Sequence, residues 1–259
     1  MDKQRDNSLE NSTIDFIAGT RLAIDKPLTW TSFDAVNKIR FLLKRHLGIK
    51  KIKVGHAGTL DPLATGLIIV CTGRATKTLQ TLMDHDKEYV ATLALGATTP
   101  SFDLETEIDA TFPTSHIDLA LIEKTLRESF TGRIDQVPPT FSAIRVDGHR
   151  AYEYARKGRH DEIELASRPI EISLMEIMDF KPETMSLTLR IGCSKGTYIR
   201  SLARDIGAAM GSGAHLTALR RTRVGDVTLD GAMSMEQVED LIRQQKPVVP
   251  TADGEAKPI

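Results

Sequence analysis

The sequence predicts an α+β protein: a mixed, mainly antiparallel sheet flanked by helices. Two observations carry this. Strand-length apolar runs with polar alternation follow one another in antiparallel-looking succession, and helical stripes fall between them irregularly, not in a regular βαβ winding. No internal repeat or low-complexity linker divides the 259 residues. A chain of this length buries about 70–75% of its unfolded surface. With 41% hydrophobic and 27% charged residues, it has the composition of an ordinary globular protein that needs no disulfide or metal staple.

The elements follow in order. Met1 to Thr20 is polar and mixed in charge, with neither a signal-peptide core nor an Arg-rich transit pattern, and is expected to be a flexible leader. Leu22 to Asp25 reads as a strand ended by Lys26-Pro27. Thr31 or Ser32 caps a helix whose stripe of Val36, Ile39, Leu42, Leu43 and Leu47 runs until Gly48 stops it. Ile52 to Val54 and Leu67 to Thr72 read as strands flanking a glycine-rich loop, Ala75 to Met83 as a helix and Tyr89 to Leu95 as a strand. Ser115, with Asp118 three residues on, opens a helix through Leu119, Ile122, Leu126 and Phe130 that Gly132 ends. Phe141 to Val146 with Asp147-Gly148 reads as a hairpin, followed by a helix over Ala151 to Lys157. Ile170, Ile172 and Leu174 alternate in one half-buried strand, and Leu187, Leu189, Ile191 and Cys193 in the next. Ile199, Leu202, Ala203 and Ile206 form a helical stripe closing at Gly211, and Ser234 with Gln237 is a capping box for a last short helix. Beyond Lys246 the tail is Pro- and charge-rich and is expected to be loose.

Several functions are excluded or disfavoured. The longest apolar run, Leu67 to Cys71, is too short to span a bilayer, so no membrane association is expected and the location reads as cytoplasmic. Cys71 and Cys193 form no CxxC pair or zinc spacing and read as buried free thiols. The absence of Gly-Lys-Ser/Thr argues against a nucleotide triphosphatase, and neither HExxH nor GxSxG occurs.

The formal charge, 34 basic against 35 acidic residues, is −1 and speaks against bulk attraction to nucleic acid. The distribution speaks otherwise. Between Asp34 and Asp61 there is no acid, while Lys38, Arg40, Lys44, Arg45, Lys50, Lys51 and Lys53 all fall in that window. A second basic block, Arg190 to Arg223, also holds Lys195, Arg200, Arg204, Arg220 and Arg221 against the single acid Asp205. Such segregation is the footprint of a polyanion-binding face, with two solvated helix faces as the alternative.

The densest unusual segment is Gly55-His56-Ala57-Gly58-Thr59-Leu60-Asp61-Pro62-Leu63-Ala64-Thr65-Gly66. Its glycines permit close backbone approach, and Pro62 biases Asp61 toward an extended backbone, giving a rigidly placed carboxylate. An Asp-Pro turn joining two strands is the plain alternative. One acid without a metal partner or a neighbouring histidine or carboxylate points to nucleophilic or electrostatic work by the aspartate alone.

This segment closely resembles the catalytic motif of the TruB family, bacterial tRNA pseudouridine synthases that act on uridine 55 of the T loop. Lys26-Pro27, Asp86-Lys87-Glu88-Tyr89, Val137-Pro138-Pro139 with Phe141-Ser142-Ala143, Tyr152 to Arg156, Cys193 to Arg200 and Leu216 to Arg221 resemble further family motifs in the same order. The resemblance covers about residues 21 to 230.

The resemblance implies the pseudouridine synthase fold, with a catalytic domain over 21–232 that includes an RNA-gripping insertion at about 130–168. It implies Asp61 as catalytic aspartate, Arg200 as the cation favouring its charged form, and Tyr89 against the base. His56, Lys26, Leu219, Gly58 and Tyr198 are implied as substrate-binding residues. Whether the aspartate adds to C1′ or removes a sugar proton to give a glycal stays open. No metal, nucleotide or other cofactor is implied, the partner is the T stem-loop of tRNA, and a monomer is expected. A non-catalytic tRNA-binding or folding factor is one alternative, and the trio Asp61, Tyr89 and Arg200 argues against it; the same chemistry on another RNA, such as ribosomal RNA, is a second, which the sequence separates only through the family motifs.

Two departures stand out. Thr99-Pro100-Ser101 replaces the Thr-Asp-Thr often found in the family, which puts polar contacts from that loop in doubt. Relatives usually end in a small domain resembling the PUA fold, whereas residues 233–259 read as a short remnant and tail, with that domain truncated or absent.

Overall fold

The computed structural model describes residues 14–142, 144–146, 149–155, 163, 165–246, 248–250 and 256–258. The chain divides into two compact units. Unit 1 holds residues 1–62, 67–83 and 229–259; unit 2 holds 63–66 and 84–228.

In unit 1, β1 (Arg21–Lys26) leads into α1 (Ser32–Leu47). Thr31 caps α1 by accepting from the Asp34 amide, and the Asp34 carboxylate accepts from the Thr31 amide, a complete capping box. The Thr31 hydroxyl, which also donates to the Asp34 carboxylate at 2.6 Å, and after it the Thr31 amide hold the Asp34 carboxyl below its ordinary pKa. Gly48, left-handed at φ 69°, ends the helix where the sequence places its stop. β2 (Val54–Ala57) pairs antiparallel with β3 (Ala64–Thr72), so Gly55, His56 and Ala57 lie in a strand and the expected loop is shorter than its motif. A 3-10 turn over Gly73–Thr78 and α2 (Leu79–Asp84) replace the single helix expected over Ala75 to Met83.

In unit 2 the strands β12 (Ala214–Val224), β4 (Lys87–Leu95), β11 (Ser186–Cys193), β10 (Arg168–Lys181) and β7 (Gly132–Gln136) lie side by side in that order, all antiparallel. The first three residues of β3, Ala64 to Gly66, pair parallel with Leu219 to Arg221 on the other flank of β12. β4 alternates buried and half-buried along its whole length, the pattern of a strand with one face in the core. Two-residue strands complete the unit: β5 (Ala97–Thr98) with β6 (Ala110–Thr111), β8 (Arg145–Val146) with β9 (His149–Arg150), and β13 (Val227–Thr228) on β12. Among the described residues, the helices here are α3 (Leu119–Ser129), α4 (Ala151–Ala155) and α5 (Ile199–Ala209). α5 packs on β12 and β4 through Ile199, Leu202, Ala203 and Ile206.

The chain then returns to unit 1 as α6 (Met235–Gln244), started by the capping box of Ser234 and Gln237 and packed on α1 and β1 through Met235, Val238 and Ile242. Lys38 on α1 pairs with Glu239 on α6 at 2.8 Å. β14 (Val248–Pro250) and β15 (Ala256–Pro258) pair in the tail.

Several expectations need correction. Phe16, placed in the flexible leader by the sequence, is buried and its carbonyl accepts from the Thr72 hydroxyl, because an apolar side chain this large gains more from the core than its backbone loses by ordering. Residues 1–13 lie outside the described residues. The cap of α3 is Asp118, whose carboxylate accepts from the Leu121 amide; Ser115 lies ahead of the helix. The hairpin over 141–150 pairs only Arg145 with Arg150 and Val146 with His149; its turn residues Asp147 and Gly148, and residues 156–162 and 164 of the expected RNA-gripping insertion, lie outside the described residues.

Gly66 is a position the fold requires. At φ 100° it faces the Arg221 backbone so closely that a Cβ would collide with the Arg221 carbonyl oxygen. Gly66→Ala is expected to cost about 2–4 kcal/mol and to lower the melting temperature by roughly 5–15 °C. Thermal melts followed by circular dichroism check this; a curve superimposable on wild type would contradict the close β3–β12 approach.

Candidate active site

Four of the expected site residues lie in unit 1. Lys26, the last residue of β1, is fully buried. Its ammonium donates to the carbonyls of Pro27 at 2.9 Å and Trp30 at 2.6 Å, as a buried cation must be compensated. His56 is half-buried in β2, and Gly58, at φ 86°, supplies the left-handed turn out of that strand. Asp61 follows in the loop and is half-buried.

That loop is tied down on both sides of Asp61. On one side, the buried Ser32 hydroxyl accepts from the Leu60 amide at 2.8 Å and donates to the Leu60 carbonyl at 3.1 Å, so one side chain satisfies both polar groups of one peptide residue. On the other, the Pro62 carbonyl accepts from the Thr29 amide at 2.9 Å. Thr29 does this from φ 69°, an uncommon conformation for a β-branched residue. The turn after Lys26 and the start of α1 thus bracket the carboxylate's own stretch of backbone.

The other four lie in unit 2. Tyr89 is on the buried face of β4, cross-strand from Ile191 and Arg221. Leu219 is half-buried on β12, paired with Ala91 on one side and Ala64 on the other. Tyr198 caps α5; the Gln136 side chain donates to its carbonyl at 3.0 Å and accepts from its amide at 2.8 Å, and the Arg168 guanidinium stacks 4.9 Å over its ring.

Arg200, in the first turn of α5, is buried, unlike a surface arginine at a helix start. It donates to the carbonyls of Ser101 at 3.1 Å and Phe141 at 2.8 Å, and its Nε lies 3.6 Å from the Asp103 carboxylate. The departure at Thr99-Pro100-Ser101 therefore does not cost polar contacts. Both hydroxyls are buried and donate to the Asp103 carbonyl, and Ser101 itself receives Arg200.

The sequence reading missed Ser32, Asp103 and Arg221. Arg221 is almost fully buried, and the charge it carries, after burial itself, helps to lower the pKa of the buried Lys87. Both thiols are buried as expected, and burial raises the pKa of each, that of Cys193 to about 11. Among the described residues no cluster of metal-ligating side chains occurs and no helix is long and apolar enough to cross a membrane.

Several cations of the second basic block are paired with carboxylates. Arg190 pairs with Glu88 and Glu176, Lys195 with Asp84, Arg204 with Asp205 and Arg223 with Glu88. These four cations each have a carboxylate partner within unit 2.

Residues 44–199 match the N-terminal domain of TruB family pseudouridylate synthases, and residues 200–249 match the C-terminal domain of tRNA pseudouridylate synthase B. The chain belongs to the TruB family. It is 59% identical over 231 residues to tRNA pseudouridine synthase B of Parabacteroides distasonis, covering 89% of this chain and 96% of the relative. Identity to that of Flavobacterium johnsoniae is 53%, over 88% of this chain and 98% of the relative. With that of Cupriavidus metallidurans it is 46%, over 87% of this chain and 69% of the relative.

Among solved structures, a Cbf5-Nop10-Gar1 complex matches with a TM-score of 0.63 at 28% identity, over 87% of this chain and 54% of that one. An H/ACA RNP bound to a substrate RNA containing 2′-deoxyuridine matches at 0.60 and 26%, over 87% and 54%. The chain thus spans about half the length of these solved neighbours. The α+β sheet is the pseudouridine synthase fold, and no PUA-like domain is shown among the described residues.

Ser32 is the positioning residue for the Asp61 loop. Ser32→Ala leaves two buried backbone groups at Leu60 unsatisfied, at a cost of about 1–3 kcal/mol. Pseudouridine formation is expected to show kcat reduced by roughly tenfold or more with KM for RNA within about twofold, because the hydroxyl holds backbone and not substrate. Steady-state kinetics check the split; a rise in KM alone would assign Ser32 to RNA binding instead.

Proposed function

We propose that this protein isomerises uridine 55 in the T loop of tRNA to pseudouridine, with Asp61 as the catalytic carboxylate. The observation that carries the reading is the bracketing of Asp61 by Ser32 on Leu60 and Thr29 on Pro62, in a chain 59% identical to a tRNA pseudouridine synthase B.

The chemistry is an isomerisation. The N1–C1′ bond breaks, the base turns and C5 bonds to C1′; the proton leaving C5 is balanced by one gained at N1. No electrons enter or leave, so the reaction needs no redox partner. Asp61 acts ionised, by adding to C1′ or by taking a sugar proton to give a glycal, and both routes start from the same carboxylate. Arg200 is the cation assigned to favour that charged form.

A uridine within a folded loop reaches a recessed carboxylate only when flipped out, at a cost of a few kcal/mol. His56 is assigned to the space the base leaves, Tyr89 to stacking on the flipped base, and Lys26, Leu219, Gly58 and Tyr198 to the pocket. A phenol of pKa about 10 is ionised about one part in a thousand at pH 7, which favours stacking over proton abstraction for Tyr89. The enzyme is proposed to act as a cytoplasmic monomer.

Pseudouridine mapping on a T stem-loop RNA tests this. Wild type is expected to modify uridine 55 of the T loop and no other uridine, and Asp61→Asn to lower the rate by at least about a thousandfold. An undiminished rate in the variant would overturn the role of Asp61, and absence of product from wild type would overturn the substrate.

A further inference from the structure

The first basic block lines a cleft. Arg40 and Lys44 stand one turn apart on the same face of α1. Gly48 then turns the chain back in its left-handed conformation, the buried Ile49 anchors it, and Lys50, Lys51 and Lys53 return alongside. The cleft between helix and returning segment has a volume of about 620 Å³ and is lined by Arg40, Lys44, Ile49, Ile52 and the three lysines of that segment.

Its electrostatics are one-sided. The four lysines are exposed, and among the described residues no carboxylate pairs with any of them. Arg40 is oriented by bonds to the Asn37 side chain and the Val54 carbonyl, neither of which neutralises it. The acid that opens the window, Asp34, is engaged in its capping box. The lining holds no aromatic ring to stack on a base and no carboxylate to read a base edge. Such a site recognises charge and not sequence.

We propose that this cleft is a phosphodiester-binding subsite that seats the backbone of the RNA substrate away from the reacting nucleotide. The proposal rests on the reading that the substrate is RNA. β2 separates Lys53 from Gly58, a contour of about 17 Å along extended chain, so the subsite grips the polyanion at a distance from the Asp61 loop without touching the chemistry. It works in binding, through release of counterions condensed on the phosphates, and leaves turnover of bound substrate alone.

The experiment compares wild type, the triple variant Lys50→Gln/Lys51→Gln/Lys53→Gln and a control, Lys124→Gln, placed on exposed α3 outside the cleft. Binding to a fluorescent tRNA transcript is measured between 50 and 300 mM salt, and pseudouridine formation is followed in the same preparations. The triple variant is expected to raise Kd and KM at least about tenfold, to lower the slope of log K against log salt by about 2–3, and to keep kcat within about twofold. The control is expected to match wild type. Unchanged Kd and salt slope in the triple variant, or an equal loss in the control, would overturn the subsite. Failure of wild type itself to modify the transcript would instead overturn the function on which the proposal rests, so the two failures are separable.

Discussion

The chemistry proposed for this chain depends on one carboxylate being held still, and the structure fixes the backbone on either side of it. Ser32 grips both polar groups of Leu60, and Thr29 grips the carbonyl of Pro62. Because Pro62 already restricts the residue before it, little freedom remains at Asp61. Fixing the peptide on either side limits where the carboxylate can reach, whatever its side chain bonds to, as a pre-organised site requires. The anchors are themselves secured: Ser32 opens a helix with a complete capping box, and the Thr29 turn follows a strand whose last residue, Lys26, is buried with its ammonium on two carbonyls.

The same device recurs in unit 2. Gln136 grips amide and carbonyl of Tyr198, two residues before Arg200, much as Ser32 grips Leu60 one residue before Asp61. Arg200 is then held by two carbonyls and the Asp103 carboxylate. In both cases a buried side chain from a neighbouring element grips the amide and carbonyl of one residue; at Leu60 it supplies partners an irregular segment lacks, and at Tyr198 it adds a second donor to a carbonyl that already accepts from the Leu202 amide.

Much of this fold was legible because local signals agreed with global packing. α1 carries a stripe, a cap and a glycine stop; β4, β10 and β11 alternate; α6 announces itself by its capping box. β12 escaped for a physical reason. Register shifts near Leu216 and Arg221 break its alternation, and its arginines read as surface charge although Arg221 is buried. β7 is a short, polar edge strand whose place is set by pairing with β10. The division into two units was invisible because the chain crosses between them four times, once in the middle of β3, and no linker marks the crossings. For the site, the Asp61 loop stood out by its residue types. Ser32 did not, since a serine beside a helix start reads as a cap, and Asp103 reads as one more acid in an acidic stretch.

Net charge is the coarsest of these signals, and its failure here follows from where the acids are used. In unit 1, Asp15 accepts from the amides of its own turn, Asp34 serves the cap of α1, Glu236 accepts from Ser234, and Glu239 holds Lys38 and Arg243. Each of these carboxylates is committed to local structure. Charges more than a Debye length apart, about 8 Å at physiological salt, barely offset one another in solvent. A polyanion approaching the cleft beside α1 therefore meets the field of Arg40 and the four lysines, not the sum over the chain. A formal charge of −1 and a cationic binding face are compatible because one is a total and the other a local field, and only the local field does work on a phosphate.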